Sequence, residues 1–347
     1  MSIDRPLATV VIVTWNGRAL LEQTLPAVLA QTYRPFEVLV VDNGSTDGTV
    51  PWLRRHFPTV RLLRLPVNRG FAGGANHGLA AARGSLVATL NNDCWPEPTW
   101  LAALVETLLA TPGAAMCASK MLFAHQPDRL NSTGLDLDVL GLAWDRDGGR
   151  RDGEEATAPP FGPCAGAALY RREAVRQVGG FDSRFFCYLE DVDLAWRLRR
   201  AGWTCAYAPQ ARVYHLHAAT LGDDSPWKRY LLGRNKLWLL AQNYPRGPLL
   251  RRLPLILLYD LLALASYALW PAPGRPWPAR WAALAGRLAG WWGLPAVWRG
   301  REPLPADREA LRALAPAAAP WVVARRFAHL QHLPRERRWP WRPAPSR

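Results

Sequence analysis

Ser85-Leu86-Val87-Ala88-Thr89-Leu90-Asn91-Asn92-Asp93 is an apolar run that ends in two amides and a carboxylate. A strand buried on both faces reads as such a run, and polar groups at its carboxyl end lie where open α/β sheets bind ligands. Asp93 has the chemistry to hold a hard divalent cation bridging a diphosphate. Asn91 and Asn92 can supply neutral oxygens or NH₂ donors beside it. Taken alone, the same residues with Pro96 also make an ordinary strand-to-turn junction. The elements around the run decide between these readings.

Three more short runs precede it. Ala8-Thr9-Val10-Val11-Ile12-Val13, Phe36-Glu37-Val38-Leu39-Val40-Val41 and Val60-Arg61-Leu62-Leu63-Arg64-Leu65 all read as strands. Between the first two, Leu20, Leu21, Thr24, Leu25, Val28 and Leu29 recur at helical spacing. Thr46-Asp47-Gly48-Thr49 opens a second helix, and a third runs over 79–82. Strands alternating with helices, each strand a continuous apolar run, predict an α/β fold with a parallel sheet and helices on both faces. Asp42 ends the second strand, where a carboxylate can accept from a base NH or a ribose hydroxyl. Gly44 and Ser45 let the backbone approach closely, although Asp42-Asn43-Gly44-Ser45 is equally an ordinary turn. The glycine-rich Asn68-Arg69-Gly70-Phe71-Ala72-Gly73-Gly74-Ala75-Asn76 precedes a helix as a phosphate cradle does. It has neither G-x-G-x-x-G spacing nor Gly-Lys-Ser/Thr, which argues against dinucleotide and P-loop chemistry.

The next part reads as an acceptor-side half. Residues 101–109 are helical, 146–163 are polar, Gly/Pro-rich and read as a mobile loop, and 165–170 form a small-residue strand. A short helix over 172–178 ends at Gly179-Gly180. Leu194, Trp196 and Leu198 then have helical period, so Glu190, Asp191 and Asp193 fall at a helix start. The helix dipole stabilises each acid there by about 0.3–1 kcal/mol. Asp193 can pair with Arg197 at i, i+4. Adjacent carboxylates repel, so Glu190-Asp191 is poorly explained by capping; following Phe185, Phe186 and Tyr188, the pair is expected to face a cleft. Catalysis therefore ranks ahead of capping for Asp191. His215 and His217 lie two apart on a strand, on one side, and one of them can join Asp93 on a metal.

The chain has 347 residues and a net charge of +15, unevenly spread. From Ser225 onward there are 21 basic and 5 acidic residues, and 11 of the 18 Trp; before it, 22 basic and 23 acidic. Arg with Trp and Leu favours an anionic membrane surface over a nucleic acid, although basic and aromatic residues also make RNA-stacking platforms. Five scattered cysteines without C-x-x-C read as reduced thiols, not a disulfide frame or zinc site. No secretory signal is legible, and the catalytic part is expected in the cytoplasm. Residues 249–270 nearly reach the ~20 apolar residues of a span, but Asp260 interrupts them at a cost in lipid. They read as an interfacial or re-entrant helix pair, with a second amphipathic helix over 281–298. The alternative is a helical subdomain packed on the catalytic part. The tail from Pro334, rich in Arg, Pro and Trp, reads as disordered or surface-adsorbed.

Taken in order, these pieces resemble the inverting glycosyltransferases of family 2, with the GT-A fold, in the rhamnosyltransferase-like branch of bacterial polysaccharide assembly. The resemblance is carried by Thr14-Trp15-Asn16-Gly17, Val40-Val41-Asp42-Asn43-Gly44-Ser45, Asn68 to Asn76, Leu90-Asn91-Asn92-Asp93, Gly179-Gly180-Phe181-Asp182 and Glu190-Asp191-Val192-Asp193-Leu194, followed by His215 and Arg234-Asn235. It spans about residues 7–240 and implies a catalytic domain over 1–240, with a nucleotide-sugar half over about 1–100 and an acceptor half over 101–240. A helical, membrane-associating region over 241–333 and a basic tail over 334–347 follow.

By resemblance, Thr14, Asn16, Asp42 and Ser45 line the nucleotide site, and Asn68, Arg69 and Gly74 lie along the ribose-phosphate. Asn91-Asn92-Asp93 stands at the metal motif of the family, with Asp93 its carboxylate ligand for Mg²⁺ or Mn²⁺. His215, or alternatively His217, is a second ligand. Asp191 matches the general base, with Glu190 beside it. The expected reaction is inverting transfer from a nucleotide-diphospho-sugar, dTDP-rhamnose or a UDP-sugar, to a glycan or polyprenyl-diphosphate-linked acceptor. It would take place at the inner membrane face, with no nucleic acid, and a homo-oligomer stays open. The Q-x-x-R-W motif of processive members is absent, which favours one or a few sugars per encounter. The rival expectation is a non-catalytic nucleotide-sugar-binding or membrane-tethering protein.

Overall fold

The computed structural model describes residues 5–216, 225–269, 277–299 and 307–327; His217 and the 334–347 tail lie outside them. The first half alternates as expected: β1 (Ala8–Thr14), α1 (Arg18–Leu29), β2 (Phe36–Asn43), α2 (Thr49–His56), β3 (Arg61–Leu65), α3 (Gly70–Ala81) and β4 (Leu86–Asn91). Then follow β5 (Cys94–Pro96), α4 (Trp100–Leu109), β6 (Ala114–Phe123), β7 (Gln126–Ser132), β8 (Leu135–Leu137), β9 (Ala143–Asp145), β10 (Ala167–Arg171), α5 (Arg172–Gln177), α6 (Glu190–Arg200) and β11 (Thr204–His215). Helices α7 (Pro226–Asn243), α8 (Arg246–Leu269), α9 (Trp277–Arg299), α10 (Asp307–Arg312) and α11 (Pro320–Phe327) complete the described chain.

One sheet, ordered β3-β2-β1-β4-β10-β6-β11-β5 with β7 beside β6, carries the site. Strands β3, β2, β1 and β4 are parallel, and β10 reverses direction between β4 and β6. The nearly unbroken burial of β1, β2 and β4 explains their continuous apolar runs: one core packs α1, α2 and α4 on one face, the other packs α3, α5 and α6 on the opposite face. Thr14 pairs with Asp42, and Val13 with Asn91, so three chemistry-bearing strand ends share one edge.

Three regions differ from expectation for physical reasons. The glycine-rich segment is the start of α3 and not a loop before it; a Cβ on Gly74 would meet Val13 Cγ1 at 2.6 Å, so the small residues let the helix lie close on β1. Residues 146–163 are tethered rather than mobile. Lys120 on β6 and Arg212 on β11 are register neighbours, and these two cations need acids. Asp152 accepts from Lys120 at 2.7 Å and from Arg212 at 2.6 Å; Glu155 also pairs with Lys120, and Glu97 with Arg212. Lastly, Asp260 is buried in protein: it accepts from Lys236 of α7 at 2.9 Å and lies 3.4 Å from Arg287 of α9. α8 is therefore part of a helical subdomain and not a re-entrant pair. No helix among the described residues is long and apolar enough to cross a membrane.

Candidate active site

On the first-half side, the ends of β1 and β2 are tied to each other. The Asn16 amide donates to Ser45 Oγ at 2.9 Å, and the Thr46 amide to Asn16 Oδ1 at 2.8 Å. Asp42 is fully buried; its Oδ2 accepts from the Ser45 amide at 3.3 Å, and its Oδ1 has no hydrogen-bond partner among the described residues. A buried acceptor in that state is costly unless a ligand supplies a donor. Asn43, to which sequence reasoning gave no role, donates to Asn68 Oδ1 at 3.0 Å and to the Gly70 carbonyl at 2.9 Å, and accepts from the Arg69 amide at 2.9 Å. Asn68 is thereby spent on holding the loop, while the Arg69 side chain stays exposed. Gly74 lies against Val13 and acts in packing. Asn92 is likewise used internally, donating to Thr14 Oγ1 at 2.9 Å while its carbonyl accepts from Thr24 at 2.7 Å.

Asp93 follows Asn92 between β4 and β5. β5 pairs with β11, so that His215 lies opposite Cys94, and His215 Nε2 stands 3.4 Å from Asp93 Oδ1. Ligand-type atoms of Asp93, Cys94 and His215 lie within 4.8 Å of one another. Burial, then the Asp93 charge, pushes the Cys94 thiol well up, so it stays a neutral thiol and a poor ligand for a hard cation. Burial alone would lower the His215 pKa; the Asp93 carboxylate beside it, with Asp145, more than reverses this. His215 Nδ1 donates to Asn131 Oδ1 at 2.7 Å, which leaves Nε2 directed at Asp93. One carboxylate and one imidazole, the latter oriented by an outer amide, fit a divalent cation of the Mg²⁺ or Mn²⁺ class.

On the second-half side, Asp191 lies in the first turn of α6. Its Oδ2 accepts from the Ala165 amide at 3.2 Å and its Oδ1 from the Val192 amide at 2.9 Å. Burial raises its pKa to about 6 against these hydrogen bonds, with Asp145 adding repulsion. Glu190 is pushed upward by burial, then by the Asp191 charge beside it. At about 6, Asp191 is suited to accept a proton near neutrality. Asp193 is structural, held by Arg197 at 2.6 Å and Asn243 at 2.7 Å. The two sides of the site meet through residues 164–166. The Asn91 amide donates to the Gly166 carbonyl at 2.8 Å, one residue beyond the Ala165 amide that holds Asp191. Sequence reasoning missed Asp145, Asn131 and Asn43, whose only signal was polarity among loop-like neighbours.

Residues 9–179 match the family described as Glycosyl transferase family 2. Over 240 residues the chain is 35% identical to the N-acetylglucosaminyl-diphospho-decaprenol L-rhamnosyltransferase of Mycobacterium tuberculosis, covering 62% of this chain and 78% of that relative. The chain belongs to glycosyl transferase family 2. Within this family it falls in the rhamnosyltransferase-like branch. The glycosyltransferase is also 31% identical over 202 residues to the pre-mycofactocin glycosyltransferase of the same organism, covering 56% of this chain and 40% of the relative. Two solved structures share its GT-A fold. One is a mannosyltransferase from Pyrobaculum calidifontis in complex with GDP-Man and Mn²⁺ (TM-score 0.50, 21% identity, 95% of this chain and 82% of that one). The other is GalNAc-T7 with UDP, GalNAc and Mn²⁺ (TM-score 0.59, 14% identity, 85% and 57%).

Proposed function

We propose that this glycosyltransferase moves a sugar, with inversion, from a nucleotide-diphospho-sugar to a hydroxyl of a glycan or polyprenyl-diphosphate-linked glycan in cell-surface polysaccharide synthesis. The observation that carries the reading is that two unlike sites are joined: the Asp145 charge acts on both His215 and Asp191, and residues 164–166 link the end of β4 to Asp191. Asp93 and His215 form a cation-holding pair at the sheet edge, and Asp191, raised to about 6, accepts a proton on the other side. The acceptor is inferred from the relative that acts on N-acetylglucosaminyl-diphospho-decaprenol. The donor is dTDP-rhamnose or a UDP-sugar.

The residues divide the work. Asp42 receives a donor from the base or ribose through its unused Oδ1, with Thr14, Asn16 and Ser45 shaping that end and Arg69 reaching the phosphates. Asp93 and His215 would hold Mg²⁺ or Mn²⁺, which when bound supplies positive charge for the leaving diphosphate. Asp191 takes the proton of the attacking hydroxyl as that oxygen closes on the anomeric carbon. Attack from the face opposite the diphosphate inverts the centre, and no covalent enzyme intermediate is needed.

The reaction is proposed to run at the inner membrane face. Outward-facing Leu255, Leu258, Leu261 and Leu262 of α8, and Trp281, Leu288 and Trp292 of α9, leave apolar surface on a strongly basic region, the combination that adsorbs to anionic lipid. Thermal shift of the full chain against UDP-, dTDP- and GDP-sugars, each with and without Mn²⁺, tests the donor site. The expected result is metal-dependent stabilisation by one nucleotide class. No shift with any donor would refute it, and the anomeric configuration of the product by NMR tests inversion.

A further inference from the structure

Asp191 is delivered by an unusual turn. Phe186 has φ 67 and ψ −63, and the Cys187 amide donates to the Phe185 carbonyl at 2.8 Å, which together make a γ-turn of the rare positive-φ type. Tyr188 (φ 67) and Leu189 (φ 66) are also left-handed. Three non-glycine residues within four positions thus occupy sparsely populated backbone regions, directly before Glu190 and Asp191. Such conformations persist only where the surroundings over-determine them.

Two adjacent residues of α7 do so. Asn235, fully buried, donates through Nδ2 to the carbonyls of Phe185 at 3.0 Å, Cys187 at 2.9 Å and Tyr188 at 2.7 Å. Arg234 Nε donates to Asn235 Oδ1 at 2.9 Å, which fixes the amide with its NH₂ toward the turn. Arg234 Nη2 adds bonds to the carbonyls of Arg184 at 3.0 Å and Phe185 at 2.8 Å, while its guanidinium lies over Trp238 at 4.4 Å. On the opposite side, the Ala72 amide at the start of α3 donates to the Phe186 carbonyl at 3.1 Å. A Cβ on Gly70, itself at φ 70, would run into Phe186. The turn is gripped between the donor-side loop and α7.

We infer that Arg234 and Asn235 are positioning residues that set the Asp191 carboxylate by clamping the 185–189 turn. The inference rests on Asp191 being the general base. Neither residue need touch substrate. They hold the first turn of α6 in one place, so that the base meets the acceptor hydroxyl with its pKa and direction fixed.

The test uses the full chain with Asn235→Leu, which keeps volume but removes the donors, and Arg234→Met, which keeps the stem of a half-buried side chain. If Asn235→Leu does not fold, Arg234→Met carries the test. Misplacing a base by about 1 Å is expected to lower kcat by ~10²-fold in Asn235→Leu and ~10-fold in Arg234→Met, with donor KM within about threefold of wild type. The acid limb of the kcat profile should move in both variants, and hydrogen exchange at the Ala72 amide should speed up. Wild-type kcat in both variants would overturn the clamp. So would a loss that merely follows the folded fraction with the acid limb unmoved, or a loss shared equally by donor KM. Asp191→Asn, assayed in parallel, separates the two ideas. Activity in that variant removes the base and with it the target of the clamp. An inactive Asp191→Asn beside fully active Arg234 and Asn235 variants leaves the base and refutes the clamp.

Discussion

Replacing Asp191 by Asn should abolish transfer and stabilise the fold at the same time. Folding raises this carboxyl from 3.8 to about 6, chiefly by burial. The folded state therefore holds the proton more tightly than the unfolded one. The Asp191 contribution to stability is fully present below pH 4, is lost as pH rises between 4 and 6, and above 6 the fold bears the full cost of the ion. At ~1.36 kcal/mol per tenfold, that cost is at most about 3 kcal/mol. Asn is uncharged, so it escapes the cost, but its single carbonyl oxygen cannot serve both the Ala165 and Val192 amides. One lost hydrogen bond returns about 1 kcal/mol. The net gain at pH 8 is then about 1–2 kcal/mol, a rise in Tm of roughly 1.5–3 °C for a chain of 347 residues, which should vanish at pH 4. Loss of the base should cost ~10²–10⁴-fold in kcat, while metal-dependent donor binding persists. Paired denaturant titrations at pH 4 and pH 8, beside single-turnover kinetics, read both quantities. A variant with wild-type kcat refutes the base. One that is destabilised at pH 8, or shifted equally at both pH values, refutes the ionisation argument.

Three further outcomes follow from the geometry. Asn131→Leu frees the His215 ring and should weaken Mn²⁺ by ~10–100-fold, the usual penalty for losing an outer partner of a ligand; calorimetry or EPR with Mn²⁺ alone reads it without turnover. Asp260→Leu leaves Lys236 and Arg287 buried without their shared carboxylate and should destabilise the helical subdomain by about 3–5 kcal/mol, seen in Trp fluorescence during urea unfolding. Leu258→Glu with Leu288→Glu, both at exposed positions, should reduce co-sedimentation with anionic phosphatidylglycerol vesicles while sparing transfer to a water-soluble acceptor. Unchanged vesicle binding would remove α8 and α9 as the contact surface.

What was legible in the sequence is what a few consecutive residues can encode. β1, β2 and β4 are buried on both faces, so each prints its own apolar run, and a parallel sheet brings Thr14, Asp42 and Asn91 to one edge by register. Asp93 and Asp191 could be singled out because each breaks a local pattern: one ends a strand with charge, the other crowds a second acid at a helix start. The remainder is encoded between residues far apart. His215 meets Asn131 across 84 positions, and Asn235 reaches the turn across 47 to 50. The 146–163 segment is polar by composition, yet it is fixed by Lys120 and Arg212, which themselves lie in strands. Asp260 read as an obstacle to membrane insertion, and became intelligible once its two cations on α7 and α9 were seen. The same distinction separates the chemistry from its control. The groups that would act on substrate sit at ends of elements, where local rules place them. The groups that orient them (Asn43, Asn131, Arg234 and Asn235) reach their targets through hydrogen bonds between residues far apart in sequence. Their residue type is chosen for donor and acceptor geometry that a linear reading cannot supply. A substitution among these orienting groups should therefore change rate or affinity without changing which reaction occurs.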